Sequence, residues 1–336
     1  MISTRASLFA MMRRIAMLLC ATGALVASTI PASAADTGPY PNRPIRLILA
    51  FSGGVMDSLA RVLGDRLEQA LGQPVVVEAR TGASGNIAAE YVARAAPDGY
   101  TLLVAPVTIT VLPSTHGARA VDPVRAFAPI TKLATQPSLI VANAALGVNT
   151  LPDLIALARD APGKIAYATP GIGTTQHLAA SLLWNRAKVD LLHVPYSNSS
   201  QVIKDVVAGQ VPVALALLAT VEPFVRSGHL RALATTSAHR AAAFPDVPTV
   251  TELGFPGFDF VTWYGLVAPK GTPHDIIETL YRESARIVHT PDVRNKLVLM
   301  GGEPVGNTPE QFSAEIRADV ARWPAIVKAA TVLDER

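Results

Sequence analysis

Three turns rich in glycine and hydroxyl side chains occupy equivalent places along the chain, each after an apolar strand and before a helical period. Ser52-Gly53-Gly54 follows Ile45–Phe51 and runs into a helix near Asp57. Thr81-Gly82-Ala83-Ser84-Gly85-Asn86 follows Val75–Val77, and Thr169-Pro170-Gly171-Ile172-Gly173-Thr174-Thr175 follows Ile165–Ala168. Main-chain N–H groups at a helix start lack intrahelical partners and can hold an anion. Any one of these turns could be ordinary turn chemistry, for which glycine is the default residue. Three of them at the carboxyl ends of strands suit a carboxylate gripped by amides and hydroxyls without a counter-charge. Each charge-assisted hydrogen bond contributes about 1.5–3 kcal/mol. His177, in the first turn of its helix, either bonds and packs locally or meets the ligand. Tyr196, after Val194-Pro195, lines a cleft or ends a strand. Trp263 and Tyr264 are either crossover packing or an aromatic wall.

Reaction chemistry finds no comparable support. Gly171-Ile172-Gly173-Thr174-Thr175-Gln176 begins like a dinucleotide turn but has Gln176 at the third glycine, and no Gly-Lys-Ser/Thr follows. Gly82-Ala83-Ser84-Gly85 is one residue short of a nucleophile elbow. The seven histidines are scattered, with no pair at i, i+4 and no HExxH, which argues against a zinc site. Acidic residues fall mostly on helix faces and at caps. The sequence therefore predicts no enzyme, no cofactor and no metal.

The 336 residues suffice for two domains with proper cores. Half of them are hydrophobic and 16% charged, yet the long apolar run is confined to the N-terminus. Arg5, Arg13 and Arg14 precede the apolar stretch Ile15–Ile30; Pro31 breaks it, and Ala32-Ser33-Ala34 has the form of a cleavage site. This reads as a secretory signal cut after Ala34 or Ala35, with an uncleaved anchor as the alternative. The formal charge of +3 comes from 29 basic and 26 acidic residues; without the three signal arginines the chain is neutral, so the basic pI is no evidence for nucleic acid. Cys20, the single cysteine, also lies in the signal, which leaves no disulfide or thiolate ligand. An exported, cysteine-free protein of this size fits a bacterial periplasm.

Beyond the Pro/Gly-rich segment Asp36–Pro44, strands alternate with helical periods. Ile45–Phe51, Val75–Val77 and Tyr100–Ala105 are near-continuous apolar runs that suit a parallel sheet covered on both faces. Leu59, Leu63, Leu67 and Leu71 mark the buried stripe of the first helix, with Asp57 or Ser58 as its start cap and Gly72 as its end. A second set comprises strands Leu139–Val141, Ile165–Ala168, Leu191–Val194, Val211–Leu217 and Leu230–Thr235, with helices from Thr150, Thr175, Ser199 and Val221. Trp263–Val267 is followed by helices Pro273–Val288, Asp292–Met300 and Pro309–Ala330, the last opened by the capping box Thr308-Pro309-Glu310-Gln311. The pattern predicts an α/β fold of two lobes, each a mostly parallel sheet flanked by helices, joined by crossover strands near Leu139–Asn143 and Phe258–Val267. The expected division is a signal over 1–34, lobe 1 from 40–138 plus 265–336, and lobe 2 from 139–264. Ligands in such folds bind between lobes, at the carboxyl ends of strands.

Motifs spread over nearly the whole chain resemble the substrate-binding proteins of tripartite tricarboxylate transporters, the TctC-like or Bug (Bordetella uptake gene) family. They are YPNRPIRLILAFSGGVMD, LGQPVVVEARTGASGNIAAEYVARAAPDGYTLL, PGKIAYATPGIGTTQHLA, HVPYSNSSQVIKDVVAGQV, LRALATTSAHRAAAFPDVPTVTELGFPGF and WYGLVAPKGTP. The resemblance implies a type II periplasmic binding protein that closes on a small organic carboxylate like a Venus flytrap and delivers it to a two-component membrane permease. A monomer without cofactor is expected. A ligand-sensing subunit of a two-component signalling system would use the same pocket. Carried over from the family, Phe51, Ser52, Gly53 and Asp57 lie near the ligand, with Ser84, Gly85 and Asn86 opposite. Thr108, Thr174, Thr175 and His177 complete the pocket, and Tyr196 is counted with them. Two departures stand out. The family's first turn usually reads F-P-x-G-G-x-x-D, whereas Phe51–Asp57 is one residue shorter and lacks the proline. The strand after Gly209-Gln210-Val211 commonly carries an acid, whereas Ala214, Ala216 and their neighbours are apolar through Ala219. The second departure removes a partner for an ammonium group and favours an acid with an apolar or aromatic distal part.

Overall fold

The first strand, β1 (Ile45–Leu49), is buried at every position except Arg46, as its apolar run requires. A computed structural model describes residues 38–196 and 199–334; the expected signal and Cys20 lie outside them. The chain divides into Met1–Asn42, of which residues 38–42 are bends and irregular chain, and a compact unit Arg43–Arg336. In the second unit β1 leads to α1 (Gly54–Leu71), β2 (Val75–Ala79), α2 (Asn86–Ala93), β3 (Thr101–Pro106), α3 (Thr108–His116) and the single turn α4 (Pro123–Ala126). Then come β4 (Phe127–Asn143), α5 (Leu151–Asp160), β5 (Ala166–Thr169), α6 (Thr175–Ala187), β6 (Leu192–Pro195), α7 (Ser199–Val207), β7 (Val213–Leu217), α8 (Leu218–Arg226) and β8 (Leu230–Thr235). The chain finishes with β9 (Val261–Pro269), α9 (His274–Val288), α10 (Pro291–Leu299), β10 (Glu303–Pro304) and α11 (Pro309–Asp334).

Strand order is β2-β1-β3-β9-β4-β7-β5-β6, with β8 and β10 also paired to β4. The parallel expectation holds for β2-β1-β3 and for β7-β5-β6. The strands that connect these two sets, β4 and β9, run antiparallel to their neighbours. β4 is far longer than the Leu139–Val141 strand read from the sequence. Its first part pairs with β9 as far as Pro137 opposite Val261; from Ser138 onward it pairs with β7, and from Leu139 with β8. Pro129 and Pro137 hide it in the sequence, because proline removes a ladder donor. The strand accommodates irregularity through register shifts at Pro129/Thr131 and Lys132/Ala134.

Leu59, Leu63 and Leu67 of α1 are fully buried, and Gly72 caps its end in the left-handed region. The helix starts at Gly54, a turn earlier than Asp57 or Ser58 would cap it, and has no side-chain cap at all. In the other half, Leu139, Val141, Val202, Val206, Ala214 and Val221 form one apolar cluster that seats α7 and α8 on β4 and β7. The predicted box forms at the start of α11, where Thr308 and Gln311 exchange hydrogen bonds, and Thr150, read as a helix start, forms a second one with Asp153 at the start of α5. α11 packs against α3, α6 and β4, so it touches helices from both halves. No helix among the described residues is long and apolar enough to cross a membrane.

Candidate functional site

Because β1, β2 and β3 are parallel, the turns that follow them emerge at one edge, and contacts between them are direct. A Cβ placed on Gly85 would lie 3.2 Å from the Ala50 Cβ and 3.8 Å from the Thr108 Oγ1, so the three turns meet around this buried glycine. The Thr108 hydroxyl donates to the Ser84 carbonyl at 3.3 Å, and the Arg80 N–H donates to the Leu49 carbonyl at 2.9 Å. Four consecutive residues have positive φ: Gly82 (124°), Ala83 (46°), Ser84 (54°) and Gly85 (98°). Left-handed backbone costs an L-residue about 1–2 kcal/mol. Ala83 and Ser84 bear that strain while exposed, in a turn closed by the Gly85 N–H to the Gly82 carbonyl at 3.0 Å.

Helices α1, α2 and α3 all begin at this edge, and none has a side-chain cap. Three helix starts without a capping oxygen give a region of positive potential from main chain alone. Phe51, Ser52 and Gly53 are exposed beside it. Asp57, in the first turn of α1, pairs with Arg61 at 3.1 Å. The adjoining cation, Arg80, stacks 3.7 Å over the Tyr91 ring and lies 3.8 Å from Glu78. The Asn86 side chain is hydrogen-bonded within the fold. Its amide donates to the Glu90 carboxylate at 2.8 Å and the Arg119 carbonyl at 3.1 Å, and its oxygen accepts from the Val121 N–H at 3.0 Å. Both donors are thereby used inside the fold, and what remains is acceptor capacity, which does not attract a carboxylate.

The second-half turn is built around α6. The Thr174 hydroxyl accepts from the His177 N–H at 3.2 Å and donates to the Gly171 carbonyl at 2.7 Å, so it caps the helix with its own proton engaged. Thr175, Gln176 and His177 are buried. The His177 Nδ1 accepts from the Gly173 N–H at 3.1 Å, and its ring stacks on His193 with centroids 4.4 Å apart. His193 in turn stacks on Tyr167 at 4.9 Å and shares a 2.8 Å hydrogen bond with Thr169. His177 therefore braces the turn from below. Tyr196 donates its hydroxyl to Asp205 at 2.7 Å; burial first, then this hydrogen bond, pushes its phenol up to about 12. That hydroxyl proton serves α7. Sequence reasoning missed His193, whose only signal was an alternating position on β6, and it treated Gln176 solely as a missing glycine.

Trp263 and Tyr264 are packed, not exposed as an aromatic wall. The Trp263 indole donates to Asp319 at 2.8 Å, and Tyr264 donates to Gln136 at 3.3 Å, with burial pushing its phenol up to about 12. A separate surface furrow of about 390 Å³ is bordered by Ile87, Glu90, Tyr91, Arg94 and Ala95. None of these belongs to the turns, and Glu90 and Arg94, one helical turn apart, pair with each other at 3.2 Å.

A two-part α/β body threaded by β4 and β9, with glycine-rich turns at the carboxyl ends of strands in both parallel sets, defines the class of two-lobed solute-binding proteins. Residues 59–332 match the sequence profile of the "Tripartite tricarboxylate transporter family receptor", and the chain belongs to that family. Protein BugT of Bordetella pertussis is 35% identical over 318 residues, covering 93% of this chain and 96% of BugT. Among solved structures, R. palustris Rpa4515 with adipate is 32% identical with a TM-score of 0.74, covering 87% of this chain and 99% of that one. MatC (Rpa3494) from Rhodopseudomonas palustris with bound malate is 30% identical with a TM-score of 0.72, covering 86% of this chain and 100% of that one.

Proposed function

We propose that the chain is a periplasmic receptor that captures a small organic carboxylate between lobe 1 (residues 40–138 and 265–336) and lobe 2 (139–264) and delivers it to a two-component membrane permease. The observation that carries this reading is the convergence of three uncapped helix starts on the strained Gly82–Gly85 turn. Strain of that kind persists where surrounding structure enforces it, typically at ligand sites. A carboxylate would satisfy helix-end N–H groups that no side chain reaches, and the Ser52 and Ser84 hydroxyls stand beside them. The similar structures with adipate and with bound malate support the ligand class. The distal end of the ligand would meet the start of α8, where Leu217, Leu218 and Ala219 supply no charge. This favours an acid whose far part is apolar.

Thermal unfolding with a panel of mono-, di- and aromatic carboxylates tests the reading. At 100 times Kd a specific ligand stabilises by about 2.7 kcal/mol. At least one acid is expected to raise the midpoint by several degrees, and mass spectrometry of ligand released from freshly purified protein should find the same chemical class. A panel without a shift, together with a ligand-free preparation, would remove the carboxylate assignment.

A further inference from the structure

We infer that Gln176 links the second-half ligand turn to the point where the two halves are joined, and so sets the balance between their open and closed arrangements. The inference rests on the interlobe reading of the site for its consequence in binding, but its structural content is independent of which ligand binds. β4 changes partners between Pro137, opposite Val261, and Ser138, opposite Leu217. At that junction the Ser138 carbonyl accepts from the Thr236 N–H at 3.0 Å, and the Ser138 N–H donates to the Thr236 hydroxyl oxygen at 3.3 Å. Thr236 in turn exchanges hydrogen bonds with Phe260, N–H to carbonyl at 2.8 Å and hydroxyl to carbonyl at 2.6 Å. The outgoing strand and the returning segment are therefore tied together at Ser138, Thr236 and Phe260.

The Gln176 side chain reaches this knot. Its Nε2 donates to the Ser138 Oγ at 3.2 Å, and both residues are buried, at 6% and 3% exposure. Gln176 adjoins Thr175 and lies in the first turn of α6, two residues from the Thr174 cap. A glycine here, as a dinucleotide turn would have, could not span from α6 to β4. A buried amide donor that loses its acceptor carries a desolvation penalty, so displacement of the turn is felt at Ser138. Gln176 is thus a positioning residue: a ligand drawing on the Thr174–Thr175 turn moves the junction through it.

The test uses spin labels at the exposed positions Asp65 on α1 and Ala156 on α5, introduced as Asp65→Cys and Ala156→Cys in a Cys20→Ser background. Gln176→Leu and Ser138→Ala each remove the link from one side. Both are expected to shift or broaden the interlabel distance distribution of the ligand-free protein, while circular dichroism retains the wild-type spectrum. With malate and adipate as probes, each variant should raise Kd up to about tenfold, the size of one hydrogen bond. The double variant should be no worse than either single one, because the link can be lost only once. Wild-type distance distributions in both variants, or losses that add in the double variant, would overturn the link. The ligand-free distances decide the link alone, whether or not malate and adipate bind the wild type, and the carboxylate reading stands or falls with the acid panel.

Discussion

Ser84 shows how a single residue can reveal a site before any ligand is known. Its φ of 54° and ψ of 26° belong to a conformation that L-residues avoid, and its side chain makes no demand for it, since it is exposed. What enforces the angles is the frame: Gly85 wedged against Ala50, and the Thr108 hydroxyl on the Ser84 carbonyl. Ser84→Gly removes the steric cost and keeps the frame. It is expected to stabilise the protein by about 1 kcal/mol, the left-handed penalty less the entropy that glycine adds to the unfolded chain. In a thermal melt this is a rise of roughly 2 °C for a protein of this size. A lowered midpoint would mean the turn is unstrained. Asn86, carried over from the family, and Tyr196, read as lining a cleft or ending a strand, both have side chains engaged inside the fold: the Asn86 amide donates to Glu90 and to the Arg119 carbonyl, its oxygen accepts from Val121, and the Tyr196 phenol donates to Asp205. Arg119 and Val121 lie more than thirty residues from Asn86 in sequence, beyond the reach of local pattern.

Elements were legible where local rules act alone. The leucine stripe of α1, the glycine at its end, the Thr150 helix start and the Thr308–Gln311 capping box all follow from spacing, because side chains within one turn decide them. β4 and α3 were not legible. β4 carries two prolines and changes face through register shifts, and its order comes from β9 and β7 on either side. α3 begins Thr-Ile-Thr-Val and contains Pro113, a poor helix by propensity, held by burial of Ile109, Val111 and Leu112 and by the Trp323 indole donating to Thr110 at 2.8 Å. The seat of α11 makes a sharp prediction at the same scale. A Cβ on Gly265 of β9 would fall 2.2 Å from the Phe312 Cζ and 2.6 Å from its Cε1. Phe312 is fully buried, edge-on to Trp263 with centroids 5.2 Å apart, and has nowhere to retreat. Gly265→Ala is expected to cost about 3 kcal/mol in urea unfolding, at the upper end of overpacking. Adding Phe312→Leu should restore much of it. A loss below about 0.5 kcal/mol would show that α11 is loosely seated.

At the scale of the whole molecule, the two halves share structure. β4 is a single strand that serves both sets of pairings, and α11 packs on α3 from one half and α6 from the other. Unfolding one half would strip β4 of half its partners and expose the face of α11 that covers the other. Neither half then has a core that survives the loss of its neighbour. Calorimetry is therefore expected to give one transition whose calorimetric and van't Hoff enthalpies agree. A carboxylate held between the halves should move that whole transition upward together, because it binds the folded state of both. Two separated transitions, or a ligand that raises one and leaves the other in place, would mean that β4 and α11 do not couple the halves and that the acid is held by one half alone.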